Sequence, residues 1–249
     1  MTVTVKVTVT YADMYIAQEN FDYVDSVKDW KLDGNTLRLI VITHNGKEAT
    51  ISFDAVNKNI WRFRFVPPDA ELPTPSPSVV LTKYKSLNLQ VKESENAITI
   101  TGAQLSPYIK LRPWSFKFVD SKGREVLGDN PLDVDGLGKP FVLPLGYVFE
   151  GETIEKVPVT TSFHLRQDEH LFGLGEKFTP LDKRMQKIIS WTVDALGSTS
   201  ERSHKNIPFL ISARGYGLFI DGGGRITWDL GTSSCQSYTV INENTSFDA

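Results

Sequence analysis

Apolar and polar residues alternate along most of this chain. Val3, Val5, Val7 and Val9 are separated by threonines and Lys6, a period of two that gives one apolar and one polar face. Ile60 to Phe65 alternates in the same way, with Trp61, Phe63 and Phe65 on one side. The run Leu37–Thr43 and the run Ala49–Phe53 are joined by His44-Asn45-Gly46-Lys47. Asn-Gly between two such runs predicts a hairpin whose two central residues take positive φ. Asn88–Lys92 and Ala97–Thr101 flank the polar turn Glu93–Asn96, and Trp114–Val119 runs into Asp120–Gly123. Tyr216–Ile220 and Arg225–Trp228 bracket Asp221-Gly-Gly-Gly224. No long stretch holds a 3.6-residue period. Short strands with turns roughly every eight to twelve residues predict antiparallel sheets in a sandwich or barrel. The absence of β-α alternation excludes a parallel doubly wound fold.

The segment Pro67–Pro77 holds five of the 13 prolines. Strand signals continue on both sides of it, so it reads as a surface loop rather than a linker, and residues 1–249 read as one domain. Net charge is −3, and no basic cluster points to nucleic acid or an anionic membrane. No apolar run is long enough to span a bilayer. The N-terminus alternates Thr with Val instead of carrying an apolar targeting core. One cysteine, Cys235, excludes an internal disulfide and suits a reducing compartment, so the expected localisation is cytoplasmic.

Individual motifs carry little chemistry. Gly173-Leu-Gly175 lacks the third glycine of a dinucleotide fingerprint, and Asp221–Gly224 lacks the Gly-Lys-Ser/Thr of a phosphate loop; both predict backbone turns. His44, His164, His170 and His204 have no metal-ligand spacing, so no metal or cofactor is expected. Cys235 is expected as a small buried or half-buried strand residue. The sequon Asn244-Thr-Ser246 lies near the end of the chain. A Gly-x-Ser-x-Gly elbow is absent. By pattern alone the chain is an all-β domain with a possible sugar-binding role.

The stretch from His170 to Gly231 is more specific. Leu171-Phe-Gly-Leu-Gly-Glu-Lys-Phe178 is followed by Trp191-Thr-Val-Asp194, then His204-Lys-Asn-Ile-Pro-Phe209, then Arg214-Gly-Tyr-Gly217. Four linked motifs in this order resemble the N-terminal domain of glycoside hydrolase family 31, especially its bacterial α-xylosidase and α-glucosidase branch. The preceding 170 residues match only in strand-rich character and length.

The resemblance implies a large two-sheet antiparallel β-sandwich of the galactose-mutarotase-like type with few short helical turns. It implies a parent enzyme that hydrolyses terminal α-linked glucose or xylose with retention, and a (β/α)8 barrel of the same polypeptide as partner. The parent's oligomeric state, homo-oligomer included, stays open. Retaining hydrolysis needs two carboxyl groups about 5–5.5 Å apart; in the family both are barrel aspartates, and the nucleophile's Trp-x-Asp-Met-Asn-like strand is missing here. No catalytic residue is therefore expected in this chain, which is predicted inactive alone. The resemblance makes Trp191 to Ser198 a loop reaching the substrate, with Asp194 the sugar-binding aspartate and Trp191 packing on a sugar face or bracing the loop. Glu176 is expected to bind backbone amides. Gly215 and Gly217 suit a tight turn with close backbone approach, Lys205–Phe209 enters a strand, and Ser198-x-x-Glu201 fits a capping box.

Two other functions compete. A stand-alone carbohydrate-binding module usually displays grouped aromatics, whereas Trp30, Trp61, Trp114, Trp191 and Trp228 are spread through the chain. A mutarotase-like epimerase needs a histidine with a carboxylate, for which His164 and His170 are available without a matching motif.

Overall fold

A computed structural model describes residues 20–71, 84–129, 142–149, 158–194, 197 and 202–249. The strand expected at Val3–Val9, most of the proline-rich segment and the Ser198–Glu201 capping box lie outside them. The elements in chain order are β1 (Phe21–Asp33), β2 (Thr36–Thr43), β3 (Glu48–Ala55), β4 (Trp61–Val66), β5 (Gln90–Ser94) and β6 (Ala97–Thr101). Next come β7 (Ser106–Lys110), β8 (Ser115–Val119), β9 (Glu125–Gly128), β10 (Gly146–Val148), β11 (Val159–His164) and β12 (Leu171–Gly173). The last six are β13 (Lys187–Ser190), β14 (Phe209–Ser212), β15 (Tyr216–Phe219), β16 (Ile226–Asp229), β17 (Ser237–Asn242) and β18 (Phe247–Asp248). All named elements are strands, and among the described residues every strand pairs with its neighbours antiparallel.

The strands form a ten-stranded sheet in the order β13-β16-β17-β11-β10-β1-β2-β3-β4-β18, a five-stranded sheet β5 to β9, and a small sheet β12-β14-β15. β1 joins the halves of the large sheet by pairing first with β10 and then with β2. Two register shifts in β1, at Val24/Ser26 and Val27/Asp29, let one long strand bend between two directions.

The two larger sheets face each other across aromatic rings. Phe53 and Phe63 of the large sheet meet Phe116 of β8 with centroids 5.6 and 4.8 Å apart. Phe116 also meets Phe163 of β11 edge-on at 6.4 Å. The alternation in β4 and β8 puts Phe63 and Phe116 inward, and each such ring pair adds about 0.5–1.5 kcal/mol beyond area burial. β11 is buried although it carries Thr160, Thr161 and Ser162. Thr160 donates to the Pro144 carbonyl at 3.0 Å, and Ser162 donates to that of Leu143 at 2.6 Å. Hydroxyls with partners can occupy a core position at little cost.

Three local expectations need correction. In the Asn45-Gly46 hairpin only Gly46 has positive φ, at 77°. Thr43 N donates to Lys47 O and Gly46 N to Thr43 O, both at 2.9 Å, so the turn continues through an extra glycine residue instead of a two-residue loop. Asp221–Gly224 is a crossover, because β15 and β16 belong to different sheets. Cys235 is exposed and lies in a turn, not a strand. Asp229 organises that turn by accepting from Thr232 N at 2.8 Å and Ser233 Oγ at 2.6 Å, so β17 starts only at Ser237.

Candidate functional site

The family-like motifs converge on one end of the large sheet. β13 pairs with β16 at the sheet edge, and its last residue is fixed from below: the buried Trp228 indole donates to Ser190 Oγ at 3.0 Å. The chain then leaves as Trp191–Asp194 and returns as Arg202–Asn206. Thr192 and Ser203 form an isolated parallel bridge, and Val193 N donates to Ser203 O at 3.3 Å. Asn206 braces the return by donating to the same Ser203 carbonyl at 2.9 Å. Lys177 ties both arms, donating to Ile189 O at 2.9 Å and to Asn206 Oδ1. The loop of interest thus has a built neck.

Gly175 explains the Gly-x-Gly spacing. Its φ is +82°, and a Cβ there would stand 2.2 Å from the Lys205 carbonyl oxygen. Only glycine lets the two segments meet this closely, and Glu176 N donates to that carbonyl at 3.0 Å. The Glu176 side chain does not bind backbone amides as expected; Oε1 lies 3.2 Å from Lys205 Nζ, with both groups exposed. The turn before it is closed by main-chain bonds, leaving the carboxylate free to take the cation.

Asp194 lies just past the neck with its side chain 82% exposed, and its Oδ1 is 3.2 Å from His204 Nε2. Trp191 is half exposed. It borders an open cleft of about 250 Å3 with Thr192, Asn206, Pro208 and the Gly222–Gly224 crossover. Asp194 does not line that cleft, so the two residues predicted for substrate contact lie on one short segment but not in one concavity. Ala195, Leu196 and Ser198–Glu201 lie outside the described residues.

The small sheet presents an apolar outer face. The register pairs Phe172 with Ile211 and Ile211 with Gly217, and it pairs Phe209 with Phe219, so these side chains share one side. Phe209 and Ile211 are exposed. A Cβ on Gly217 would meet the Phe209 ring at 2.5 Å, which is the close approach that Gly217 serves. Of nine exposed large hydrophobic residues among those described, seven fall between Phe178 and Ile211. That concentration falls in one stretch of the sequence, which includes the family-like motifs.

Behind this sheet lies a buried polar knot that sequence reasoning missed. Glu169 Oε1 accepts from Ser212 Oγ and from Tyr216 OH, each at 2.6 Å. Burial, reinforced by the Glu169 charge, pushes the Tyr216 phenol well above its ordinary range. The Tyr of Arg-Gly-Tyr-Gly is therefore a structural pin. Glu169 carries no motif of its own, and nothing short of its partners in space identifies it.

The histidines an epimerase would need are separately engaged. His170 Nδ1 lies 2.6 Å from Asp182 Oδ2, and His164 Nδ1 lies 3.5 Å from Glu125 Oε1. None of these four residues lines the cleft. Among the described residues no group of three or more potential ligands could hold a metal, and no helix is long and apolar enough to cross a membrane.

Residues 50–229 match the model of the glycosyl hydrolase 31 N-terminal galactose mutarotase-like domain. An α-xylosidase, XylQ, of Lactiplantibacillus pentosus is 39% identical over 79 residues, covering 32% of this chain and 10% of that protein. An α-xylosidase of Emericella nidulans is 29% identical over 170 residues, covering 66% and 20% respectively. The cycloalternan-forming enzyme of Listeria monocytogenes, solved with a pentasaccharide substrate, superposes with a TM-score of 0.77 at 17% identity. That superposition covers 92% of this chain and 20% of that one. The chain thus spans 10–20% of the length of these curated relatives.

Proposed function

The chain belongs to the glycosyl hydrolase 31 N-terminal galactose mutarotase-like domain family, and on that premise we propose that residues 1–249 are the accessory β-sandwich of a retaining α-glycosidase acting on terminal α-linked glucose or xylose. The domain packs on the catalytic barrel of the same polypeptide and extends Trp191 to Ser198 toward the substrate. Its own residues supply neither of the two reacting carboxyl groups, so alone it is inactive.

The observation that carries this reading is the apolar outer face of β12-β14-β15 close in sequence to the necked loop. Exposed phenylalanine and isoleucine on one sheet face need a cover, and the barrel provides one. Asp194, exposed beyond the neck, is free to accept sugar hydroxyls through charge-assisted bonds. Trp61, Trp114 and Trp228 are buried, which weighs against a stand-alone module built on grouped tryptophans.

The test compares the full-length polypeptide and this chain on p-nitrophenyl α-glucoside and α-xyloside. Turnover is expected only from the full-length protein. Asp194→Ala in that protein should cut kcat/KM without lowering Tm, and an unchanged kcat/KM removes the substrate role. Turnover by the 249-residue chain would overturn the division of labour.

A further inference from the structure

We infer that His204 is a positioning residue for Asp194: its Nε2 fixes one carboxylate oxygen and thereby aims the other at the sugar. The inference rests on the substrate role of Asp194 proposed above.

The geometry comes from the neck. The Thr192–Ser203 bridge brings the outgoing and returning arms side by side, so Asp194 and His204 meet although ten positions apart. The Nε2–Oδ1 distance is 3.2 Å, at the outer limit of an N–H···O bond. His204 is held in turn from below: Ser203 is buried and receives Asn206 and Val193, while Lys205 closes on Gly175.

This pair does little for stability. The two side chains are 62% and 82% exposed, and such surface pairs contribute roughly 0–1 kcal/mol. The neck closes through main-chain and Asn206 bonds that do not involve either group. What the contact does control is direction. A carboxylate at the end of a loop turns about two side-chain torsions, and each orientation it samples away from the sugar weakens recognition. Engaging Oδ1 leaves Oδ2 with its lone pairs for a hydroxyl.

The experiment is a double-mutant cycle in the full-length glycosidase with Asp194→Asn, His204→Phe, the double variant and His204→Gln. His204→Phe should lower kcat/KM about tenfold, the value of one charge-assisted bond discounted for solvent. The loss should appear in KM with kcat kept, as for lost uniform binding. Glutamine, whose amide reaches where Nε2 stood, should recover most of it. The double variant should be no worse than Asp194→Asn alone, and every variant should keep its Tm. Unchanged kinetics in His204→Phe, losses that multiply, or a loss confined to kcat would overturn the positioning role while Asp194 stays in the site. If Asp194→Asn itself has no effect, the substrate reading fails, and this inference fails with it.

Discussion

Arg62 holds Asp248 through two parallel bonds, Nε to Oδ1 at 2.7 Å and Nη2 to Oδ2 at 2.5 Å. Nη2 also reaches Asp221 at 3.2 Å. The three residues tie β4, β18 and the start of the glycine crossover together. Both carboxylates are buried, so removing Arg62 strands two charges. Arg62→Ala is expected to cost about 3 kcal/mol, seen as a lower urea midpoint with an unchanged slope. A loss below roughly 1 kcal/mol would mean the pair behaves as a surface pair.

Asp129 gives stability a pH dependence. Burial pushes its carboxyl up to about 7, against bonds from Phe116 N and Ser115 Oγ that favour the charged form; the Glu125 charge adds to the rise. Between the unfolded value of 3.8 and about 7, the folded state binds more protons than the unfolded one. Stability from this group therefore falls as pH rises through that window. Asp129→Asn keeps an oxygen for both donors, each 3.0 Å away, and should flatten this part of the curve. Unfolding free energies at several pH values check it; equal slopes in both proteins would refute the assignment.

Gly175→Ala should strike the loop through the scaffold. The positive φ and the Lys205 carbonyl at 2.2 Å from the added carbon predict a cost of about 2 kcal/mol or more. The displaced Lys205 arm should also loosen the Thr192–Ser203 bridge. Amide exchange near Val193 reports this, and unaltered protection there would show that the two segments move independently.

Phe209→Ser with Ile211→Ser should leave the fold of the isolated chain in place, since both side chains point outward. If the bare face drives self-association, the double variant should sediment as monomer at concentrations where the parent sequence does not. In the full-length protein the same pair should lower Tm by weakening the domain contact.

The sandwich was legible because β4 and β8 alternate and bury one face, and because Asn45-Gly46 marked the turn between β2 and β3. β1 was not, since Asp25, Ser26, Lys28 and Asp29 interrupt its pattern where it bends between partners. β11 was hidden by its hydroxyls, which look like a surface until the carbonyl partners of Thr160 and Ser162 are known. For the site, the motif order picked out Trp191 and Asp194, but not His204 as the neighbour of Asp194. A contact across a loop has no period, so no spacing rule reports it. Glu176 shows the reverse failure, where a motif position suggested amide binding and the nearest cation took the carboxylate instead.

The bridge between Thr192 and Ser203 also bears on how such a protein can diversify. A segment whose two ends are fastened at its base is insulated from the framework, because lengthening it adds only about 0.6 kcal/mol of closure entropy per doubling. Changes of sequence or length between the two fastened ends therefore need not disturb the register of the strands below.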